Sequence, residues 1–234
     1  MPRDFWISHL FVPVAIVALA LAGIWGFHWD ERIARALFYT GQPPQWLGAG
    51  EGSWWARELI HTGGRNVVRA IAAAALVLWL ASLRVTALQP WRSPAGYVAL
   101  SMIVATTLVG ALKAVTNVDC PWDLADFGGT RPYVGIFEDR PDHLPVAKCF
   151  PGAHSASGFA LTCFYYVYRD RPGAARWWAL AAGLTVGGVF AFGQEARGAH
   201  FLSHDLTGAA IVWVVVTLLY AWRRGTAASG QRHA

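Results

Sequence analysis

The stretch KCFPGAHSASG, residues 148–158, ends a polar segment of the chain and opens an apolar one. Pro151 suits the first turn of a helix, where its missing N–H is no loss. Gly152 and Ala153 leave the backbone N–H groups open, and free N–H groups at the positive end of a helix dipole attract an anion. His154 then lies beside that anion as an acid–base group. The stretch therefore predicts a phosphate site at a helix start, and the alternative is an ordinary helix start that contains a histidine.

The rest of the chain has the composition of a membrane protein. Of its 234 residues, 55% are hydrophobic and 14% are charged, and tryptophan, which favours membrane interfaces, occurs 13 times. Six apolar runs have about the length that crosses a bilayer, although the fourth is short. They are 6–28, 66–88, 94–117, 154–169, 174–193 and 204–222. We predict an all-α, polytopic membrane helical bundle with six transmembrane helices, forming one domain over residues 1–234.

The distribution of charge orients this bundle. With the N-terminus inside, the inner segments carry only two acidic residues but nine arginines: Arg3, Arg84, Arg92, Arg169, Arg171, Arg176, Arg223, Arg224 and Arg232. Short, arginine-rich loops belong in the cytoplasm. We therefore expect a multi-pass protein of a bacterial inner membrane, with cytoplasmic termini and periplasmic polar loops. The net charge of +5 reflects this topology and does not indicate nucleic-acid binding.

Two long segments, 29–65 and 119–150, are predicted to lie outside. The first has amphipathic patterns over Asp30–Tyr39 and Trp46–Leu59, which favour helices on the outer membrane surface that either pack over the bundle or gather lipid. Cys120 and Cys149 bracket the second segment and face an oxidising compartment. We expect a disulfide between them, worth roughly 3–4 kcal/mol by the chain-entropy estimate. Two free thiols are the alternative.

Three predicted helix ends bring polar side chains to the same outer level as His154. Lys113 lies in the last turns of the third helix. A charged residue within a membrane helix usually has a functional role, although the side chain of Lys113 can also extend to the membrane–water interface. His200 and His204, four residues apart, share a helix face. Between the fifth and sixth helices the chain also carries Arg197 and Asp205, and Asp205 can orient one imidazole.

This set of residues suits phosphate transfer. Cations hold a phosphate and stabilise charge on its oxygens, one histidine attacks phosphorus, and the other protonates the leaving oxygen. Water then hydrolyses the phosphohistidine, and no metal or cofactor is required. The rival is a zinc site, because histidines at i and i+4 with a carboxylate can ligate zinc. However, HFLSH at residues 200–204 lacks the glutamate of H-E-x-x-H, and the nearby cations suit an anion better.

These residues resemble the type 2 phosphatidic acid phosphatase superfamily, which includes membrane lipid phosphatases, bacterial acid phosphatases and vanadium haloperoxidases. Its motifs are K-x6-R-P, P-S-G-H and S-R-x5-H-x3-D. The corresponding residues here are Lys113 with Cys120-Pro121, Pro151-Gly152-Ala153-His154, and Gln194 with His200, His204 and Asp205. The resemblance covers about residues 94–222.

The resemblance implies a role for each matching residue. Lys113 is expected to bind phosphate, His154 to act as general acid and His200 as nucleophile. Asp205 lies one residue beyond the family spacing and is our first choice to orient His200, with His204 as the second.

The motifs also depart from the family pattern. Cys120 and Gln194 stand where the family has arginines. Arg131 and Arg197 lie nearby on the same side, and we expect them to bind phosphate instead, together with Gln194 and the backbone of Gly152 and Ala153.

The expected function is that of a metal-independent membrane lipid phosphatase. The resemblance implies a lipid phosphate or diphosphate as substrate: undecaprenyl diphosphate, phosphatidylglycerol phosphate, phosphatidate or a lipid A phosphate. The alternatives are a phosphotransferase that moves phosphate between lipids and a non-catalytic lipid-binding or transport protein of the same fold.

Overall fold

The computed structural model describes residues 1–230, so Arg232 of the charge argument lies outside the described residues. Nearly all of the ordered structure is helical. The helices are α1 (Arg3–Gly26), α2 (Trp29–Ile33), α3 (Trp55–Ser82), α4 (Thr86–Val115), α5 (Ala153–Phe159), α6 (Cys163–Tyr168), α7 (Ala175–Ala196) and α8 (Leu202–Gly230). Wider π turns occur at Ile7–Phe11, Ala34–Phe38 and Trp55–Gly64. Short 3₁₀ turns occur at Glu51–Ser53, Thr86–Leu88, Pro121–Asp123, Ala125–Phe127 and Ala160–Thr162.

Within the described residues, five helices are long and apolar enough to cross a membrane: α1, α3, α4, α7 and α8. They make this a multi-pass membrane protein. The remaining predicted run, 154–169, is helical as α5 and α6, which the turn Ala160–Thr162 joins. At 1.5 Å per residue, the about 16 residues of this run span about 24 Å, which is less than the ~30 Å thickness of the hydrocarbon core. The count of six membrane helices therefore stays a prediction.

The helix α3 begins at Trp55, eleven residues before the predicted start of the second apolar run at 66. The expectation of one amphipathic piece over Trp46–Leu59 is therefore wrong. Its first part is the strand β2 (Gln45–Trp46), which pairs antiparallel with β1 (Tyr39–Thr40). Its second part is the first turns of α3. Those first turns contain polar residues. The sequence prediction missed them because it took the start of the helix from the start of the continuously apolar run.

The main core surrounds α5 and α6, which contact α4, α7 and α8. Tyr166 of α6 is fully buried among Met102 of α4, Val212 and Tyr220 of α8, and Phe5 of α1. This packing places the polar start of α5 inside the bundle.

One end of the bundle, which we call the loop end, carries residues 29–54, 116–152 and 197–201. A second small core covers it, in which Phe38, Trp46, Phe127 and Phe201 pack together. Trp46 belongs to the outer amphipathic segment, and the structure packs it over the helices, which is the first of the two alternatives for that segment. Cys120 and Cys149 are disulfide-bonded there, with Cα atoms 5.1 Å apart.

The opposite end carries the start of α1 and the ends of α6 and α8. The guanidinium of Arg169 lies over the Phe5 ring and donates to Tyr220 Oη at 3.3 Å. Arg224 Nη1 lies 3.4 Å from Asp170 Oδ2. The chain therefore returns to this end after α5 and α6, as it does after α3 and α8.

Candidate active site

His200 and Asp205 form a buried pair at the start of α8. The Nδ1–H of His200 donates to Asp205 Oδ1 at 2.7 Å, and the two residues are 2% and 1% exposed. This bond leaves the lone pair of His200 on Nε2, and Lys113 Nζ lies 3.5 Å from that atom. Asp205, and not His204, is the residue that contacts His200 Nδ1.

Ser155 and Gly152 complete the surroundings of Asp205. Ser155 Oγ donates to the same Asp205 Oδ1 at 2.5 Å. A Cβ at Gly152 would overlap Asp205 Oδ1 and lie 3.1 Å from His200 Nδ1, so only glycine fits there. The N–H of Gly152 donates to the His204 carbonyl oxygen at 2.8 Å. The prediction that this N–H faces a ligand is therefore wrong, because the N–H already has a partner.

His204 is buried beside the pair of His200 and Asp205. Its ring packs edge-on against Phe150 and Phe201, with centroids 5.4 Å and 5.6 Å away. The His204 and His200 rings are 6.0 Å apart. The structure thus gives His204 a packing position and a backbone bond to Gly152.

A cavity of about 430 Å³ opens between α3, α4 and the start of α5. Four residues predicted for the site line it: Lys113, Ala153, His154 and Gln194. One wall is apolar and consists of Val68, Ala72, Met102 and Ile103. His200 is not a lining residue, but Lys113, which lines the cavity, connects it to His200 Nε2 at 3.5 Å.

His154 is held between two rings. Its imidazole stacks on Phe190 of α7 at 4.5 Å with an interplanar angle of 12°, and the His61 ring lies 4.6 Å away. Its Nε2 is buried and has no hydrogen-bond partner among the described residues. The helix that carries His154, α5, begins at Ala153. Pro151 lies before it, so the prediction that Pro151 is in the first turn of this helix is wrong. A buried imidazole with an unused nitrogen can exchange a proton with a bound ligand.

Arg197 lies one turn from the cavity and is half-buried. Its Nη1 donates to Gln194 Oε1 at 2.8 Å, so Gln194, which occupies the arginine position of the third motif, connects Arg197 to the cavity wall. Burial and the neighbouring Arg57 lower the pKa of the Arg197 guanidinium below its ordinary value.

Arg131 lies in the loop between α4 and α5 and is paired within that loop. Its Nη1 donates to Asp119 Oδ1 at 2.6 Å, and Arg140 Nη2 donates to the same oxygen at 3.0 Å. Burial acts to raise the pKa of Asp119, but the bonds from Arg140 and Arg131 bring it below its usual range. Arg131 is not a lining residue of the cavity, and its phosphate-binding role stays a prediction.

Comparison with protein families agrees with the geometry around His200. The family described as the PAP2 superfamily matches residues 94–227, which include Lys113, His154 and Asp205. The chain belongs to the PAP2 superfamily. Comparisons with curated proteins and with solved structures gave no match. Members of the superfamily are typically phosphatases, which supports a phosphoric ester hydrolase.

Several residues of this PAP2 protein reach the site without having been predicted from the sequence. His61, Arg65 and Arg69 of α3 line the cavity, although α3 lies outside the matched family region. Their spacing of four residues places them on one helix face. That spacing was the available signal. Arg69 lies within the predicted run 66–88, but the late predicted start of the helix left His61 and Arg65 outside it.

Glu195 is a further unpredicted residue, buried next to Asp205. It is 8% exposed, and among the described residues the buried Asp205 Oδ2 has no hydrogen-bond partner. Among the described residues, no group of three His, Cys, Asp or Glu side chains is arranged to hold a metal ion. The cations around His200 suit an anion.

Proposed function

We propose that this PAP2 protein hydrolyses a phosphate monoester or diphosphate of a membrane lipid through a phosphohistidine formed on His200. The observation that carries the proposal is the bond of His200 Nδ1 to Asp205, which leaves Nε2 as a nucleophile beside Lys113. A buried carboxylate holds the imidazole in this tautomer and stabilises the positive charge that develops when Nε2 attacks.

The reaction has two steps. In the first, His200 Nε2 forms a bond to phosphorus, the bond from phosphorus to the lipid oxygen breaks, and His154 gives its proton to that oxygen. In the second, water attacks the phosphohistidine, His154 takes a proton from the water, and inorganic phosphate leaves. Lys113 and the N–H of Ala153 stabilise the charge on the phosphoryl oxygens. Gln194 positions Arg197 for the same task.

The shape of the cavity supports a lipid as substrate. Its polar end holds Lys113 and His154, and its apolar wall along α3 and α4 suits an acyl or prenyl chain. The candidates are undecaprenyl diphosphate, phosphatidylglycerol phosphate, phosphatidate and a lipid A phosphate.

The proposed location is a bacterial inner membrane, with the loop end in the periplasm and both termini in the cytoplasm. The arginines at the end opposite the site, Arg169 and Arg224 among them, support this orientation by the positive-inside rule. The disulfide at the loop end fits an oxidising compartment.

The test is phosphate release by purified protein in detergent with EDTA present, against the four candidate lipids. His154→Ala and His200→Ala are compared with His143→Ala, which changes an exposed histidine of the loop between α4 and α5. We expect release that survives EDTA, is unchanged in the His143 variant and is lost in the other two. Acid-labile phosphoprotein, trapped in wild type and absent from His200→Ala, identifies the intermediate.

Other outcomes favour the alternatives. Transfer of phosphate from one lipid to another without release of inorganic phosphate indicates a phosphotransferase. Lipid binding without either reaction indicates a binding or transport protein of the same fold. Loss of activity with EDTA contradicts metal independence.

A further inference from the structure

The cavity has a second set of cations, which the assigned phosphate chemistry does not use. Arg65 and Arg69 line it from α3, on the same face as His61. With Lys113 they make three basic side chains around one cavity. Among the described residues that line it, none is acidic.

Neither arginine has an evident structural task. Arg65 Nε is buried and has no hydrogen-bond partner among the described residues. Arg69 is exposed and lies four residues further along α3, just inside the apolar run 66–88. A cation within an apolar stretch of a membrane helix is costly unless an anion pairs with it, and an unsatisfied buried donor is costly as well. Both positions therefore favour an anionic ligand in the cavity.

The spacing along α3 separates these cations from the reacting phosphate. The His61 ring contacts His154 and therefore lies at the same height in the bundle as the proposed general acid. Arg65 lies one turn beyond His61, and Arg69 lies a further turn on, about 6 Å beyond Arg65 at 1.5 Å per residue, with side chains that reach back towards the N-terminus. A group bound by both arginines is thus next to the reacting phosphate, on the side where the lipid chain lies.

We infer that Arg65 and Arg69 form a second phosphoryl subsite, and that the preferred substrate carries two phosphoryl groups in its headgroup. This inference rests on the proposed function and narrows its substrate class. The terminal phosphoryl group reacts at His200 and leaves as inorganic phosphate after hydrolysis. The inner phosphoryl group stays on the lipid and is held by Arg65 and Arg69. A lipid diphosphate and phosphatidylglycerol phosphate have this chemistry, whereas phosphatidate has a single phosphate.

The kinetic test compares three lipids in detergent: a polyprenyl diphosphate, phosphatidylglycerol phosphate and phosphatidate. We expect wild type to have a kcat/KM at least about tenfold higher for one or both of the first two, because bonds to charged groups are strong. Arg65→Gln and Arg69→Gln should lower that value about tenfold to a hundredfold and change turnover of phosphatidate less than about threefold. Comparing the first two lipids shows whether the inner group is a diphosphate phosphoryl or a separate phosphodiester.

Two controls separate binding from folding. Arg84→Gln changes an exposed arginine two residues beyond the end of α3, and it should leave all three rates unchanged. Arg69→Lys keeps the charge and should recover part of the preference. An equal loss for all three lipids, or a preference unchanged in both glutamine variants, overturns the inference.

A binding measurement separates failure of the subsite from failure of the hydrolase proposal. Methylenediphosphonate and inorganic phosphate are titrated into the detergent-solubilised protein, and each dissociation constant is measured by calorimetry. We expect the diphosphonate to bind at least about tenfold more tightly to wild type, and the difference to vanish in Arg69→Gln. Equal affinity for the two anions in wild type overturns the subsite, whether or not any lipid is hydrolysed.

Discussion

At the scale of the residue, the protonation of His200 depends on one carboxylate oxygen. Asp205 Oδ1 accepts from both His200 Nδ1 and Ser155 Oγ. In Asp205→Asn, an amide N–H facing Nδ1 would move the ring proton to Nε2 and remove the nucleophilic lone pair. By analogy with the orienting carboxylate of a catalytic triad, we expect kcat to fall about 10³- to 10⁴-fold with little change in KM. Steady-state phosphate release measures this, and a loss below tenfold contradicts the assigned role.

The sequence reveals some site residues and conceals others, for a physical reason. Lys113 and His154 lie near the ends of apolar runs and His200 lies in the short segment between two runs, so counting helices already places the three residues at one level. Arg65 and Arg69 belong to a helix that begins earlier than its apolar run. Their approach to His154 depends on how α3 packs against its neighbours, which is a tertiary property that no local pattern reports.

At the scale of the element, the contact between α3 and α7 supports His154 through a glycine. A Cβ at Gly64 would lie 2.6 Å from Phe190 Cζ, and the Phe190 ring stacks on the His154 imidazole. Gly64→Ala should displace that ring, destabilise the fold by about 1–3 kcal/mol and lower kcat. Gly188→Ala on α7 is the matched control, because a Cβ there meets nothing within 4 Å. Thermal unfolding and phosphate release are measured together, and unchanged values in Gly64→Ala contradict the packing argument.

The junction of α2 and α8 should make stability depend on pH. The Ser203 N–H donates to Asp30 Oδ1 at 3.0 Å, and burial raises the pKa of the Asp30 carboxyl from 3.8 to about 6. Because the folded pKa is the higher one, the fold binds more protons than the unfolded chain between about pH 4 and 6. Stability therefore falls as pH rises through this window, by up to about 3 kcal/mol, and is constant above it.

The comparison of Asp30→Asn with wild type isolates this contribution. The variant should unfold at a higher temperature than wild type at pH 7.5 and lose that advantage by pH 4. Asp126→Asn, at an exposed carboxylate paired with Arg35 at 2.9 Å, is the control. The same pH slope in Asp30→Asn and wild type would show that Asp30 does not carry the effect.

At the scale of the whole molecule, apolar runs predicted the bundle because lipid requires every backbone group to be bonded within a helix. Five of the six runs correspond to long helices. The run 154–169 differs because its helix begins with Ala153 and His154 inside the protein, where a polar start has partners that lipid cannot offer. Packing, and not hydropathy, therefore determines where that helix starts.

The number of crossings can be tested through the two termini, because an even number places them on one side of the membrane. The helices α5 and α6 lead from the loop end towards Arg169 at the opposite end, so we expect six crossings with both termini in the cytoplasm. Epitope tags are placed at the N-terminus, at the C-terminus and, as a control, in the exposed loop near Phe137. In spheroplasts only the loop tag should bind antibody, and all three should bind after lysis. Termini on opposite sides would show that α5 and α6 do not complete a crossing. Both terminal tags accessible in spheroplasts would keep six crossings but invert the orientation, placing His200 on the cytoplasmic side.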